Sequence, residues 1–220
     1  VMREAAPHLD AAPLVCATKG IENESLMTMD EVLAEVLPAE RHGQLAFLSG
    51  PSFAKEVADK QPTAVSIASR DAALAERVQG MMAAPYFRTY STTDVVGVEL
   101  GGALKNVMAI ASGACDGLGL GYNSVSALIT RGLAEMNRLA VKRGAHPLTL
   151  SGLAGMGDLV LTCMGGLSRN RQVGQKLGRG MSLEAITKDM KQVAEGVRTA
   201  KSAHRLAERE GVEMPVTGVV

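Results

Sequence analysis

An α/β layer followed by an all-helical bundle is the architecture that this 220-residue sequence predicts. Short apolar runs alternate with helical periodicities as far as about residue 93, and strand signals fade from Asp94 onward. Glycines, 24 of 220, cluster at particular spots rather than recurring at one period, so they mark sites and not a repeat array. With 46% hydrophobic residues the chain is long and apolar enough to bury a sizeable core.

In chain order, the first dozen residues read as the tail of a helix leading into a strand at PLVCAT (13–18). A helix over residues 25–36 precedes a strand at QLAFLS (44–49), and a short helix from Ser52, with that serine as its cap, precedes a strand at TAVSIAS (63–69). A helix over 72–82 and a strand at FRTYST (87–92) close the series, an alternation that implies at least some parallel sheet. Beyond it the clearest helix spans 124–143, where Val125, Leu128, Ile129, Gly132, Leu133, Met136, Leu139 and Ala140 follow the helical period and Gly144 supplies a stop. Arg131 and Glu135, four apart, read as a surface pair on it. A last helix over 196–210 ends at Gly211, with Val197, Ala200, His204 and Ala207 as its stripe. The domain boundary is expected near residue 93, giving units 1–93 and 94–220.

Lys plus Arg and Asp plus Glu both number 23, so there is no global basic footprint for nucleic acid or an anionic membrane, and any anion must be captured locally. Cys16, Cys115 and Cys163 are widely spaced and odd in number, which suits reduced packing thiols in the cytoplasm and no metal site. The long apolar stretch 95–115 is broken by Glu99 and Lys105, and no signal-peptide pattern opens the chain. An α/β dinucleotide-binding half normally opens on G-x-G-x-x-G, and none precedes Val15; the expectation is an interior piece of a longer protein.

Chemistry concentrates in a few glycine-punctuated stretches. GVELGGALKNV (97–107) sets Lys105 among small apolar residues; in a helix its side chain lies over Gly101 and Gly102, whose missing side chains leave room for close approach of backbone or ligand. ATKG (17–20) puts Lys19 at the carboxyl edge of a strand, and GPSFAKE (50–56) follows another. LAGMGDLVLTC (153–163) places Asp158 and Thr162 on one helical face in an apolar run, where an acid needs a cation or a ligand. SRNR (168–171) opens a polar helix after Gly165-Gly166, so that Ser168 caps while Arg169 and Asn170 project beside exposed N–H donors, a favourable arrangement for phosphate.

These stretches, with AEG (194–196), stand in the order and approximate spacing of the bacterial NAD(P)-dependent glycerol-3-phosphate dehydrogenases, which the chain resembles from about Val15 to its end. The resemblance implies a partial Rossmann-like domain followed by a helical domain of the 6-phosphogluconate-dehydrogenase type. It implies reversible hydride transfer between NAD or NADP and the dihydroxyacetone phosphate/glycerol 3-phosphate pair, for glycerophospholipid synthesis. Lys105 becomes the catalytic acid/base, its pKa lowered by apolar neighbours and by Lys19. Lys19, Gly50, Ser52, Asp158, Ser168, Arg169 and Asn170 complete the substrate site. Lys19, Ala54, Arg169, Val193 and Glu195 touch the dinucleotide, and Asn106 and Thr162 support. A cytoplasmic enzyme, binding neither nucleic acid nor membrane and pairing as a homodimer, is expected. Two other readings stand beside it: a dehydrogenase of the same build acting on a hydroxy acid or sugar acid, and a non-catalytic dimerisation module. The last predicts loss of Lys105 or Asp158, and both are present.

Overall fold

The structure, a computed structural model, describes residues 2–9, 12–188, 190 and 194–220. Its first part runs α1 (Met2–Ala5), β1 (Leu14–Cys16), α2 (Met29–Val36), β2 (Leu45–Ser49), α3 (Ala54–Ala58), β3 (Thr63–Ala68), α4 (Ala72–Met82) and β4 (Phe87–Thr92). The rest is helical: α5 (Val95–Gly117), α6 (Tyr122–Lys142), α7 (Asp158–Met164), α8 (Arg169–Gly178), α9 (Leu183–Lys188), α10 (Glu195–Glu210) and α11 (Pro215–Gly218). A Rossmann-like region thus precedes a helical one, as the alternation of periods implies.

The four strands lie in the order β1-β2-β3-β4; β1/β2 and β3/β4 are parallel and β2/β3 is antiparallel. Strand periodicity sorts β2 between two layers. Leu45 and Phe47 pack with Leu33 and Leu37 on the α2 side, while Ala46 joins Ile67, Leu74 and Val78 on the α4 side. Because β1 and β2 are parallel, their carboxyl ends meet at one edge, and Lys19 and Gly50 follow there.

Helix α5 is the axis of the second part. It is long and apolar enough to cross a membrane, yet 89% of its apolar window is buried inside the protein, so it is a core helix. Leu100, Leu104, Val107 and Met108 pack there with Met136 and Leu139 of α6, Leu159 of α7 and Leu206 of α10. Against α8 the helix makes a seam of glycines. A Cβ on Gly113 or Gly117 would run into the backbone of α8, and one on Gly174 or Gly178 into the backbone of α5. These four glycines, spaced four apart on each helix, let the two backbones touch and so fix where α8 begins relative to Lys105.

Several local expectations shift. The helix expected over 25–36 starts at Met29, because the Thr28 N–H donates to Glu31 Oε2 (2.9 Å) as a cap, and the Glu22 carboxylate holds residues 24–25 in a turn. Ser52 does not cap α3; its hydroxyl turns back to Gly50 O (3.1 Å) and Phe53 takes the cap position. On α10 the buried stripe is Gly196, Thr199, Ala203, Leu206 and Ala207, and His204 faces outward beside Glu208. Glu135 is not a surface partner of Arg131: it is buried and accepts from the N–H groups of Val216 (2.8 Å) and Thr217 (3.2 Å), capping α11.

Candidate active site

At the carboxyl edge of β1 and β2 the sheet meets α5, and a buried carboxylate organises the contact. Asp158, 1% exposed at the start of α7, accepts from Lys105 Nζ through Oδ1 and from Lys19 Nζ through Oδ2 (2.9 Å). Thr162, one turn on, donates to the Asp158 carbonyl (2.6 Å). Lys105 sits mid-helix on α5 and is itself buried. Burial pushes its pKa down to about 8; the Asp158 carboxylate opposes that shift, and the Lys19 cation adds to it. An amine near neutrality, held in a fixed direction by a carboxylate, is suited to passing a proton either way.

The expected room over Gly101 and Gly102 is taken by protein. A Cβ on Gly101 would strike the Ala154 carbonyl, and one on Gly102 would lie 2.7 Å from Ser49 Oγ and 3.5 Å from the Lys19 stem. Gly102 is therefore the bed over which Lys19 reaches Asp158. Gly50, with φ +149°, is required by the turn after β2 and by contact with Val65.

In front of this pair of lysines lies a cavity of about 460 Å³. Lys19, Ser52, Ala54, Lys105, Asn106, Thr162, Ser168, Arg169, Asn170 and Glu195 line it, so α3, α5, α7, α8 and α10 all converge there. Asp158 lies behind the lysines, Gly50 stands off the cavity wall, and Val193 falls outside the described residues. Ser168 caps α8, its Oγ accepting from Arg171 N (3.2 Å), so the start of that helix opens on the cavity. Asn170 Nδ2 donates to Asn106 Oδ1 (3.0 Å) and Asn170 Oδ1 accepts from Gly196 N (2.9 Å). Phe53, Lys55 and Leu167 also line the cavity and escaped the sequence reading; Lys55 was visible as the basic residue of GPSFAKE. Ser49, buried with no hydrogen-bond partner for Oγ among the described residues, escaped it too, since a serine ending a strand carries no signal. Among the described residues no histidine lines the cavity, and Cys163, whose thiol burial pushes up to about 12, is inert core.

The donor set fits an anionic ligand and a dinucleotide. Lys19, Lys55, Lys105 and Arg169 outnumber the acids, a helix start supplies N–H groups, and the Glu195 carboxylate at the rim suits hydroxyl donors such as those of a ribose. The edge of parallel strands is where open α/β sheets bind such ligands.

Models of the N-terminal and C-terminal parts of NAD-dependent glycerol-3-phosphate dehydrogenase match residues 1–75 and 94–220. The glycerol-3-phosphate dehydrogenase (NAD(P)+) of Geobacter metallireducens is 61% identical over 218 residues, covering 99% of this chain and 65% of that protein. That of Myxococcus xanthus is 61% identical over 204 residues, covering 93% of this chain and 61% of that protein. This chain therefore spans about two thirds of their length. The glycerol-3-phosphate dehydrogenase structure from Coxiella burnetii superposes with a TM-score of 0.92 at 42% identity, covering 99% of this chain and 66% of that one. The Saccharomyces cerevisiae structure does so at 0.84 and 26%, with 99% and 66% covered.

Proposed function

The chain belongs to the NAD-dependent glycerol-3-phosphate dehydrogenase family, and from that premise we propose that the whole enzyme interconverts dihydroxyacetone phosphate and sn-glycerol 3-phosphate, supplying glycerophospholipid synthesis. The observation that carries the reading is the Asp158 carboxylate gripped by Lys19 and Lys105 at the base of a cation-rich cavity. NAD or NADP, when bound, exchanges the hydride.

Lys105 holds a proton at Nζ for the ketone oxygen and takes it back from the alcohol in the reverse direction. A pKa near 8 keeps both forms populated at working pH. Asp158 fixes the direction of that Nζ, and Lys19 adds a second positive charge where oxygen becomes negative. Ser168, Arg169 and Asn170 take the phosphate with the first N–H groups of α8, while Gly50 and Ser52 flank the substrate from the sheet side. Lys19, Ala54, Arg169, Val193 and Glu195 hold the dinucleotide, and Asn106 and Thr162 brace the groups that react. Residues 1–93 act as the C-terminal part of the NAD(P)-binding domain and 94–220 as the substrate domain. Balanced charge leaves no global electrostatic footprint for nucleic acid or an anionic membrane, and the likeness to the family supports a cytoplasmic enzyme that works on small molecules as a homodimer.

The test is oxidation of NADH and of NADPH by the full-length enzyme with dihydroxyacetone phosphate, wild type against Lys105→Ala. Turnover that drops by roughly 10²–10⁴-fold in the variant supports the assignment and shows which dinucleotide is preferred. A folded wild type that turns over neither overturns it.

A further inference from the structure

A glycine follows Glu195 where the helix itself does not need one. Gly196 is buried at the second position of α10 with an ordinary negative φ, so its backbone is open to any residue. What excludes a side chain is proximity: a Cβ would lie 2.6 Å from the Asn106 carbonyl oxygen and 2.7 Å from Asn170 Oδ1. The closeness creates a chain of hydrogen bonds from Gly196 N–H to Asn170 Oδ1 (2.9 Å) and from Asn170 Nδ2 to Asn106 Oδ1 (3.0 Å).

Its direction is set from one end. A backbone N–H only donates, so Asn170 must offer Gly196 its oxygen and Asn106 its nitrogen, and Asn106 must offer its own oxygen in return. That leaves Nδ2 as the donor end of Asn106, on a residue that lines the cavity beside Lys105. Asn170 also does the work of a cap, since Ala194, at the cap position of α10, makes no side-chain bond to the first turn. Asn106 and Asn170 are 4% and 8% exposed, where a broken hydrogen bond is not replaced by water.

The three residues sit on three helices, each next to a group with a job: Asn106 after Lys105 on α5, Asn170 after Arg169 on α8, Gly196 after Glu195 on α10. We infer that Gly196 is a positioning residue whose N–H, through Asn170 and Asn106, ties the dinucleotide side of the cavity at Glu195 to the substrate side at Lys105, so that filling one side tightens binding at the other. The inference rests on the assignment of the two sides given above. Each ligand bears on a residue next to the relay, and because the relay ties α5, α8 and α10 together, a helix placement favoured by one ligand is passed to the groups that meet the other.

The test is the affinity of the full-length enzyme for reduced dinucleotide, read by its fluorescence, with and without saturating glycerol 3-phosphate. Both ligands are reduced, so nothing turns over. In wild type, glycerol 3-phosphate should tighten the dinucleotide by about fivefold or more, and in Gly196→Ala and Asn106→Ala by less than about twofold, with thermal melting still cooperative. Asn106→Ala leaves the proposed dinucleotide contacts in place, so it decides the matter if Gly196→Ala does not fold. Tightening that is absent from wild type, or undiminished in Asn106→Ala, overturns the relay. Failure of the dehydrogenase reading registers separately, as a wild type that does not oxidise the dinucleotide with dihydroxyacetone phosphate.

Discussion

Lys105 is the residue on which pH should act. Its pKa is near 8, and in the proposed mechanism ketone reduction needs the protonated amine. The kcat/KM for dihydroxyacetone phosphate should therefore hold from pH 7 to about 8 and then fall roughly tenfold per unit, while that for glycerol 3-phosphate oxidation rises up to about 8 and levels off. Steady-state profiles in both directions between pH 7 and 9.5 check this, and parallel profiles in the two directions would remove Lys105 from the proton path. At this scale much of the candidate site was legible. Lys19, Lys105, Asp158 and Arg169 stand out as charged or polar groups in glycine-rich, apolar surroundings, and all belong to one place. Ser49 and the relay through Gly196 were not legible, because their meaning depends on which backbone they approach, and spacing along the chain does not carry that.

Among elements, the α5–α8 seam holds the cavity in shape. Gly174→Ala puts a methyl against the backbone of α5 and should cost about 2–4 kcal/mol by forcing the helices apart. It should also lower kcat/KM, since Ser168–Asn170 move away from Lys105. Gly80→Ala in α4, where a Cβ meets nothing within 4 Å, is the control and should stabilise by about 0.5–1 kcal/mol. Urea denaturation of the three proteins checks both signs, and equal effects at the two glycines would refute the seam. Helices and strands themselves were largely readable: α4 and β4 fall where their periodicities put them. The misplacements share a cause. The start of α2 moved to a reciprocal Thr28–Glu31 cap, and Glu135 turned inward to cap α11, a demand set by an element about 80 residues away.

Across the whole molecule, polar contacts join the sheet region to the helices. Asp30 of α2 donates its N–H to Glu99 Oε1 of α5 (3.0 Å), Arg143 at the C-cap of α6 bridges Glu31 and Glu210, and Ser202 of α10 reaches Asn23 (2.7 Å). Burial, and then the adjacent Asp30 carboxyl, raise the Glu99 pKa to about 9. Unfolded, that carboxyl titrates near 4.3, so between about pH 4.5 and 9 the folded chain holds the extra proton and stability falls as pH rises. Glu99→Gln keeps the shape without the titration, and its advantage over wild type should grow from pH 5 to pH 8 by roughly 2–4 kcal/mol. Denaturation at the two pH values measures it; an advantage that is the same at both would show that Glu99 ionises in the fold. Local pattern was enough for the fold class, the order of elements and the families of residue that carry charge into apolar segments, because periodicity and desolvation act within a few residues. Which of those residues share one carboxylate, which glycines are contacts between helices and which acids are buried across the junction emerged only in the folded arrangement, because those energies depend on distances between segments up to 184 residues apart.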